Sequence, residues 1–116
     1  MANVVEVRAI VRREMLDRVV HALKDAGVPR LTVTRVHAIG AGVDPASVRI
    51  SFEEGSEYAD KALVQFLCPE ERSATYLTVI ERVGHTGRRG DGIVSVHPVL
   101  DVAKIRTGQH GLEALS

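Results

Sequence analysis

The stretch Thr86-Gly87-Arg88-Arg89-Gly90-Asp91-Gly92-Ile93-Val94-Ser95-Val96, followed a short way on by Lys104-Ile105-Arg106-Thr107-Gly108, organises the reading of this chain. Glycines at 87, 90 and 92 allow a tight turn whose N–H groups approach a ligand closely. The apolar run after it predicts a strand over residues 93–96. Arg88, Arg89, Lys104 and Arg106 flank the turn with positive charge, and glycine-rich turns with cations beside them hold phosphates. A plain helix-to-strand connection with surface arginines is the simpler alternative. The second basic segment favours the phosphate site.

Upstream, residues 4–11 put Val5, Val7, Ala9 and Val11 on one face and Glu6 and Arg8 on the other, the period of a strand. Leu16, Val19, Val20 and Leu23 then recur at helical spacing over residues 14–26, and Gly27 with Pro29 ends that helix. A second strand is predicted over residues 31–39, rich in Thr and Val. A third covers residues 61–68. Pro69-Glu70-Glu71 opens a second helix, with Tyr76, Leu77, Ile80 and Val83 as its apolar stripe and Gly84 as its stop. Residues 99–103 suggest a short extra element after the last strand, and residues 109–116 a tail that docks only in an assembly.

Between the second and third strands, residues 40–60 carry Gly40, Gly42, Pro45 and Gly55 among five acids. A connection this long is functional or mobile. Its middle, residues 47–52, alternates weakly, so a plain long hairpin and a binding loop both stay open. The order βαββαβ predicts an α+β, ferredoxin-like fold, a four-stranded antiparallel sheet with both helices on one face. The other face carries Ile10, Val36 and Ala38. An uncovered apolar face predicts a closed dimeric or trimeric ring.

The 116 residues suit a single domain with one core. Lys plus Arg and Asp plus Glu are 15 each, so no net field draws in nucleic acid. Phe52, Phe66, Tyr58 and Tyr76 are the only aromatics besides histidine, too few for base-stacking platforms. Cys68 stands alone in an apolar run, which excludes an internal disulfide and suggests a buried, inert thiol in a reducing compartment. Neither a signal pattern nor a bilayer-length apolar run is present, so a cytoplasmic protein without membrane insertion is expected.

With these blocks placed, the chain resembles the PII signal-transduction family over nearly its whole length. Residues 86–92 are similar to the family's Thr-Gly-basic-x-Gly-Asp-Gly signature, residues 104–108 to its basic-Ile-Arg-Thr-Gly ending, and residues 31–36 to its second strand. The resemblance implies a homotrimer with adenine nucleotide (ADP, AMP or ATP) in clefts between subunits. It makes residues 40–60 the T-loop, which docks on a membrane transporter or an enzyme, and residues 104–116 the C-terminal segment. It implies regulation rather than catalysis, with no catalytic residues and no required cofactor.

Carried over by position, Gly87, Arg88, Gly90, Asp91 and Gly92 belong to the phosphate turn, where Asp91 fixes the turn through its own side chain. Arg106 and Lys104 match phosphate-contacting arginines; Lys104 keeps the charge and loses the fork. Thr32 matches a residue near the adenine, and Gly40 the glycine at the T-loop base. Gly42, Arg49, Ser51, Glu54 and Lys61 fall at effector or partner-loop positions, Lys61 matching a lysine that pairs with 2-oxoglutarate. The departures are as informative. Ile93 stands where standard members place a phosphate-binding lysine, and Gly42 replaces a glutamine that helps bind magnesium and 2-oxoglutarate. Glu54 replaces a tyrosine that many bacterial members uridylylate.

Three other readings follow from the residues. His21, His37, His85, His97 and His110 lack i, i+4 pairs, which favours scattered surface histidines, although a trimer brings three copies of one histidine together. That leaves a metal- or small-anion-responsive regulator as the alternative function. An enzyme lacks a nucleophile–base pairing, and Glu53, Glu54 and Glu57 read as a solvated loop. A purely structural module predicts an oligomer indifferent to nucleotides.

Overall fold

The computed structural model describes residues 3–40, 46, 48–51 and 56–116. The strands are β1 (Val4–Arg12), β2 (Thr32–Ala38), β3 (Val48–Ser51), β4 (Ser56–Pro69) and β5 (Gly92–Pro98), and the helices α1 (Leu16–Asp25) and α2 (Glu70–Gly84). The sheet order is β2-β4-β1-β5, with every neighbouring pair antiparallel. This is the ferredoxin-like arrangement the sequence predicts.

The period-two pattern of β1 does what it promises. Val5, Val7, Ala9 and Val11 face the helices and are buried with Ala62, Val64, Phe66 and Cys68 of β4. Val19 and Leu23 of α1 and Tyr76 and Ile80 of α2 close this layer. Phe66 and Tyr76 meet edge-on with centroids 5.5 Å apart, a favourable geometry for two rings in an aliphatic core. Cys68 is 3% exposed, and burial pushes its thiol pKa up, which keeps it protonated and inert.

Two boundaries differ from the sequence reading, and the hairpin left open there is present. The first helix begins with a 3₁₀ turn over Arg13–Met15. The third predicted strand starts earlier, at Ser56, so β4 reaches back into the acidic connection. There it pairs with β3, making a fifth strand. Ala59 stands opposite both Ala38 and Val48, so β2 and β3 lie on opposite edges of β4, and β3 continues the line of β1. The base of the 40–60 segment is thus a hairpin arm.

The tail corrects an expectation. Gly111–Leu115 form a 3₁₀ turn within the single chain, with Ala114 buried at 5% exposure. The Gly111 amide donates to the Val102 carbonyl at 3.0 Å, and Ala103 and His110 make an antiparallel bridge. Burial of Ala114 and Leu115 against the sheet replaces the partner that the sequence reading requires.

Candidate functional site

Arg12 and Lys61 are direct cross-strand neighbours on β1 and β4, on the face away from the helices. They are 1% and 4% exposed. Two like charges opposite one another destabilise a sheet, and two buried cations cost still more unless acceptors surround them. The acceptors come from the turn between α2 and β5. Arg12 Nε donates to Asp91 Oδ1 at 2.9 Å, and Arg12 Nη2 to the Arg89 carbonyl at 2.6 Å. Lys61 Nζ donates to the Gly90 carbonyl. The cations therefore bind consecutive groups of residues 89–91 and fix that turn against the sheet.

Asp91 works inward, as its sequence context predicts. Its Oδ2 accepts from the amides of Thr86 and Gly87 at 2.8 and 2.9 Å, and its Oδ1 accepts from the Thr86 hydroxyl. Partial desolvation opposes its charged form. The bonds from Thr86, Arg12 and Gly87 outweigh that and hold its carboxyl well below the usual carboxylate range. Within the turn that the sequence assigns to nucleotide, Asp91 is the turn-fixing carboxylate. Among the described residues, the amides of Arg89 and Gly90 donate to no protein acceptor.

Gly92 answers a steric demand. With φ of +103°, a Cβ there would lie 1.8 Å from the Ile10 carbonyl oxygen. Only glycine lets β5 join β1 at this point. Arg88 Nη2 lies 3.9 Å from Glu14 Oε1. Ile93, next along β5, is 69% exposed and brings no charge to the turn.

A second group of predicted residues lies elsewhere. Thr32 and Lys104 line one cleft of about 480 Å³ with Arg30, Gln65, Leu67 and Ile105. Arg106 is exposed in the turn that the Ala103–His110 bridge closes. Thr32 opens β2, and Gly92 opens β5, at opposite edges of the sheet. Three strand spacings separate those edges, roughly 14 Å. One chain thus carries, in two separate places, the residues that the sequence assigns to nucleotide binding.

The loop positions divide likewise. Gly40, with φ of +114°, follows β2 and is exposed. Arg49 lies on β3, its Nε 3.4 Å from Asp60 Oδ2, and His37 Nε2 lies 3.5 Å from Asp60 Oδ1. His37 also stacks on Tyr58. Ser51 ends β3. Gly42 and Glu54 lie outside the described residues. Lys61, assigned by sequence to the effector positions, is buried in β4 and donates to the Gly90 carbonyl. Among the described residues, no group of three histidine, cysteine or acidic side chains is placed to hold a metal ion.

Two residues escaped the sequence reading. Arg12 is the cation that ends an alternating strand, a position that reads as solvent-exposed until Asp91 is brought beside it. Arg30, just before β2, reads as a loop cation, yet it lines the cleft with Thr32 and Lys104.

Comparisons with known proteins agree with this architecture. A family model described as Nitrogen regulatory protein P-II matches residues 4–109. Nitrogen regulatory protein P-II of Azospirillum brasilense is 29% identical over 110 residues, covering 95% of this chain and 98% of that protein. Nitrogen regulatory protein GlnK2 of Haloferax mediterranei is 34% identical over 113 residues, covering 94% and 89%. Among solved structures, citrate-bound PII of Arabidopsis thaliana superposes with a TM-score of 0.77 at 27% identity, over 97% of this chain and 92% of that one. The GlnK–ATP complex of B. subtilis, at 22% identity and TM-score 0.78, shares the fold over 97% of each chain. No helix among the described residues is long and apolar enough to cross a membrane. The match to the family model over most of the chain, on a ferredoxin-like sheet with the glycine turn in place, shows that this protein belongs to the P-II family of nitrogen regulatory signal proteins, which regulate rather than catalyse.

Proposed function

We propose that this chain forms a homotrimer that binds adenine nucleotide (ADP, AMP or ATP) between adjoining copies and signals through residues 40–60 to a transporter or enzyme. The observation that carries this reading is the division of the phosphate-directed residues between opposite sheet edges. The turn around Gly90, with its two amides lacking protein acceptors, makes one half-site. The cleft holding Thr32 and Lys104, with Arg106 nearby, makes the other. A single ligand engages both only where the turn of one copy meets the cleft of the next, and a closed ring supplies that geometry at every interface.

The open sheet face supports the ring. Ile10 stands opposite both Leu63 and Ile93, so the three make an apolar row across β4, β1 and β5. Burial of that row against another copy contributes roughly 25 cal/mol per Å² of apolar surface removed from water.

Nucleotide preference follows from what the turn lacks. Ile93 offers no ammonium to a terminal phosphate, so ATP loses its usual margin over ADP and AMP. The Lys61 ammonium already binds the Gly90 carbonyl. With glycine at position 42, tight magnesium-dependent 2-oxoglutarate binding has no support. Gly40, Gly42, Arg49, Ser51 and Glu54 are the positions through which the loop presents itself to its partner. Calorimetry with ATP, ADP, AMP and cyclic nucleotides tests the reading: saturable heat near one site per chain supports it, and no heat with any of them at high protein concentration overturns it.

A further inference from the structure

Arg30 and Lys104 converge on one oxygen atom. Arg30 Nη2 donates to the Ser116 main-chain oxygen at 2.9 Å, and Lys104 Nζ donates to the same oxygen at 2.5 Å. The two cations approach from different elements, Arg30 from the loop before β2 and Lys104 from the segment after β5. Both line the cleft that holds Thr32, and among the described residues Glu6 is the only acid lining it. A guanidinium and an ammonium that share one acceptor reproduce how proteins grip a phosphate oxygen. The Ser116 oxygen is delivered there by the docked tail, through buried Ala114 and the Gly111 to Val102 bond.

We propose that Arg30 and Lys104 form a two-cation phosphate subsite of this cleft, and that the tail oxygen of Ser116 occupies it in cis and is displaced by an incoming nucleotide phosphate. The proposal rests on the nucleotide reading above and adds Arg30 and a tail-based control to it. The contacts are mutually exclusive, because both cations direct their donors to one point. A ligand phosphate offers the two cations several charged oxygens where the tail offers them one, so the exchange favours the nucleotide once it is present. The tail's docked population sets how much the apparent affinity is lowered: a tail docked nine-tenths of the time lowers it about tenfold.

The test uses the full chain and ATP as the probe. Ala114→Gln places a long polar side chain where a buried methyl group now docks the tail, without adding charge to the cleft. The A114Q protein is expected to bind ATP about tenfold more tightly than the unaltered protein. Adding Arg30→Ala to A114Q is expected to remove that gain. In the unaltered protein, saturating ATP is expected to speed hydrogen exchange at the amides of Gly111 and Ser116, a readout that needs no variant. Equal ATP affinity for A114Q and the unaltered protein, with no change in tail exchange, overturns the tail as competitor while leaving the nucleotide reading intact. A double variant that binds as tightly as A114Q removes Arg30 from the subsite. Silence of both the unaltered and A114Q proteins toward every nucleotide overturns the nucleotide reading itself and this proposal with it.

Discussion

Arg12 Nε lies 2.9 Å from Asp91 Oδ1, bridging the end of β1 to the turn that precedes β5. The bond joins a cation that is 1% exposed to a carboxylate that also caps the amides of Thr86 and Gly87. Removing either partner takes from the other its charged counterpart in a poorly hydrated place. Asp91→Asn is therefore expected to destabilise the fold by about 3 kcal/mol, because it leaves a buried guanidinium without its carboxylate counter-charge. Urea denaturation of D91N, R12M and the double variant measures this. The double variant is expected to lose clearly less than the sum of the singles. Strict additivity would show that the two side chains do not cooperate.

The same carboxylate makes a pH prediction. Its folded pKa is depressed below the ordinary value of 3.8. A depressed carboxylate stabilises the fold fully above its unfolded-state pKa, and that contribution is lost as pH falls toward the folded value. The stability gap between the unaltered protein and D91N is expected to be flat from pH 7 to about 5 and to shrink below about 4. Denaturation curves across that range check it. A gap that widens on acidification contradicts the assigned sign.

Gly92→Ala is expected to cost about 3 kcal/mol, combining strain at φ of +103° with a Cβ placed 1.8 Å from the Ile10 carbonyl oxygen. The damage is to the β1–β5 junction, so the melting temperature falls even without ligand. Thermal melts of G92A without nucleotide measure this directly. An unchanged melting temperature would show that the junction relaxes freely.

Position 93 tests why the nucleotides are ranked closely. Ile93 is largely exposed, so a lysine there costs the core little. Ile93→Lys is expected to raise ATP affinity at least about tenfold, from one added charge-assisted phosphate bond worth roughly 1.5–3 kcal/mol, with a smaller gain for AMP. Calorimetry of I93K with each nucleotide checks the order. Equal gains for ATP and AMP would place Ile93 away from the terminal phosphates.

The fold was legible because its signals are local. Alternation in β1, helical spacing in α1 and α2, and the glycine turn before β5 each announce one element, and their order leaves one economical topology. The resemblance of residues 86–92 and 104–108 to the PII family's signatures pointed to the same answer. What stayed hidden depends on contacts distant in sequence. Lys61 reads as the first residue of a strand and, by resemblance, an effector contact, and only the β1–β4 register, which sets it beside Arg12 and beneath Gly90, shows that it supports the turn. Arg12 was silent for the same reason. The 56–60 stretch looks like loop because its acids obscure the alternation, yet pairing with β3 on one edge and β2 on the other makes it strand. The tail reads as docking only in an assembly because its burial within the chain rests on Ala114 and Leu115, two residues too few to form a recognisable pattern.

The shared cleft is tested most directly by mixing two defective chains. One carries Lys104→Ala with Arg106→Ala, and the other carries Gly90→Val in the turn; each is checked to remain trimeric and to have lost ATP binding. After unfolding and refolding together, mixed rings place an intact turn beside an intact cleft. The account predicts that calorimetry then recovers ATP binding at about a quarter of the clefts, the share that random assortment around a closed ring gives. No recovery from mixed trimers of the two chains would contradict it.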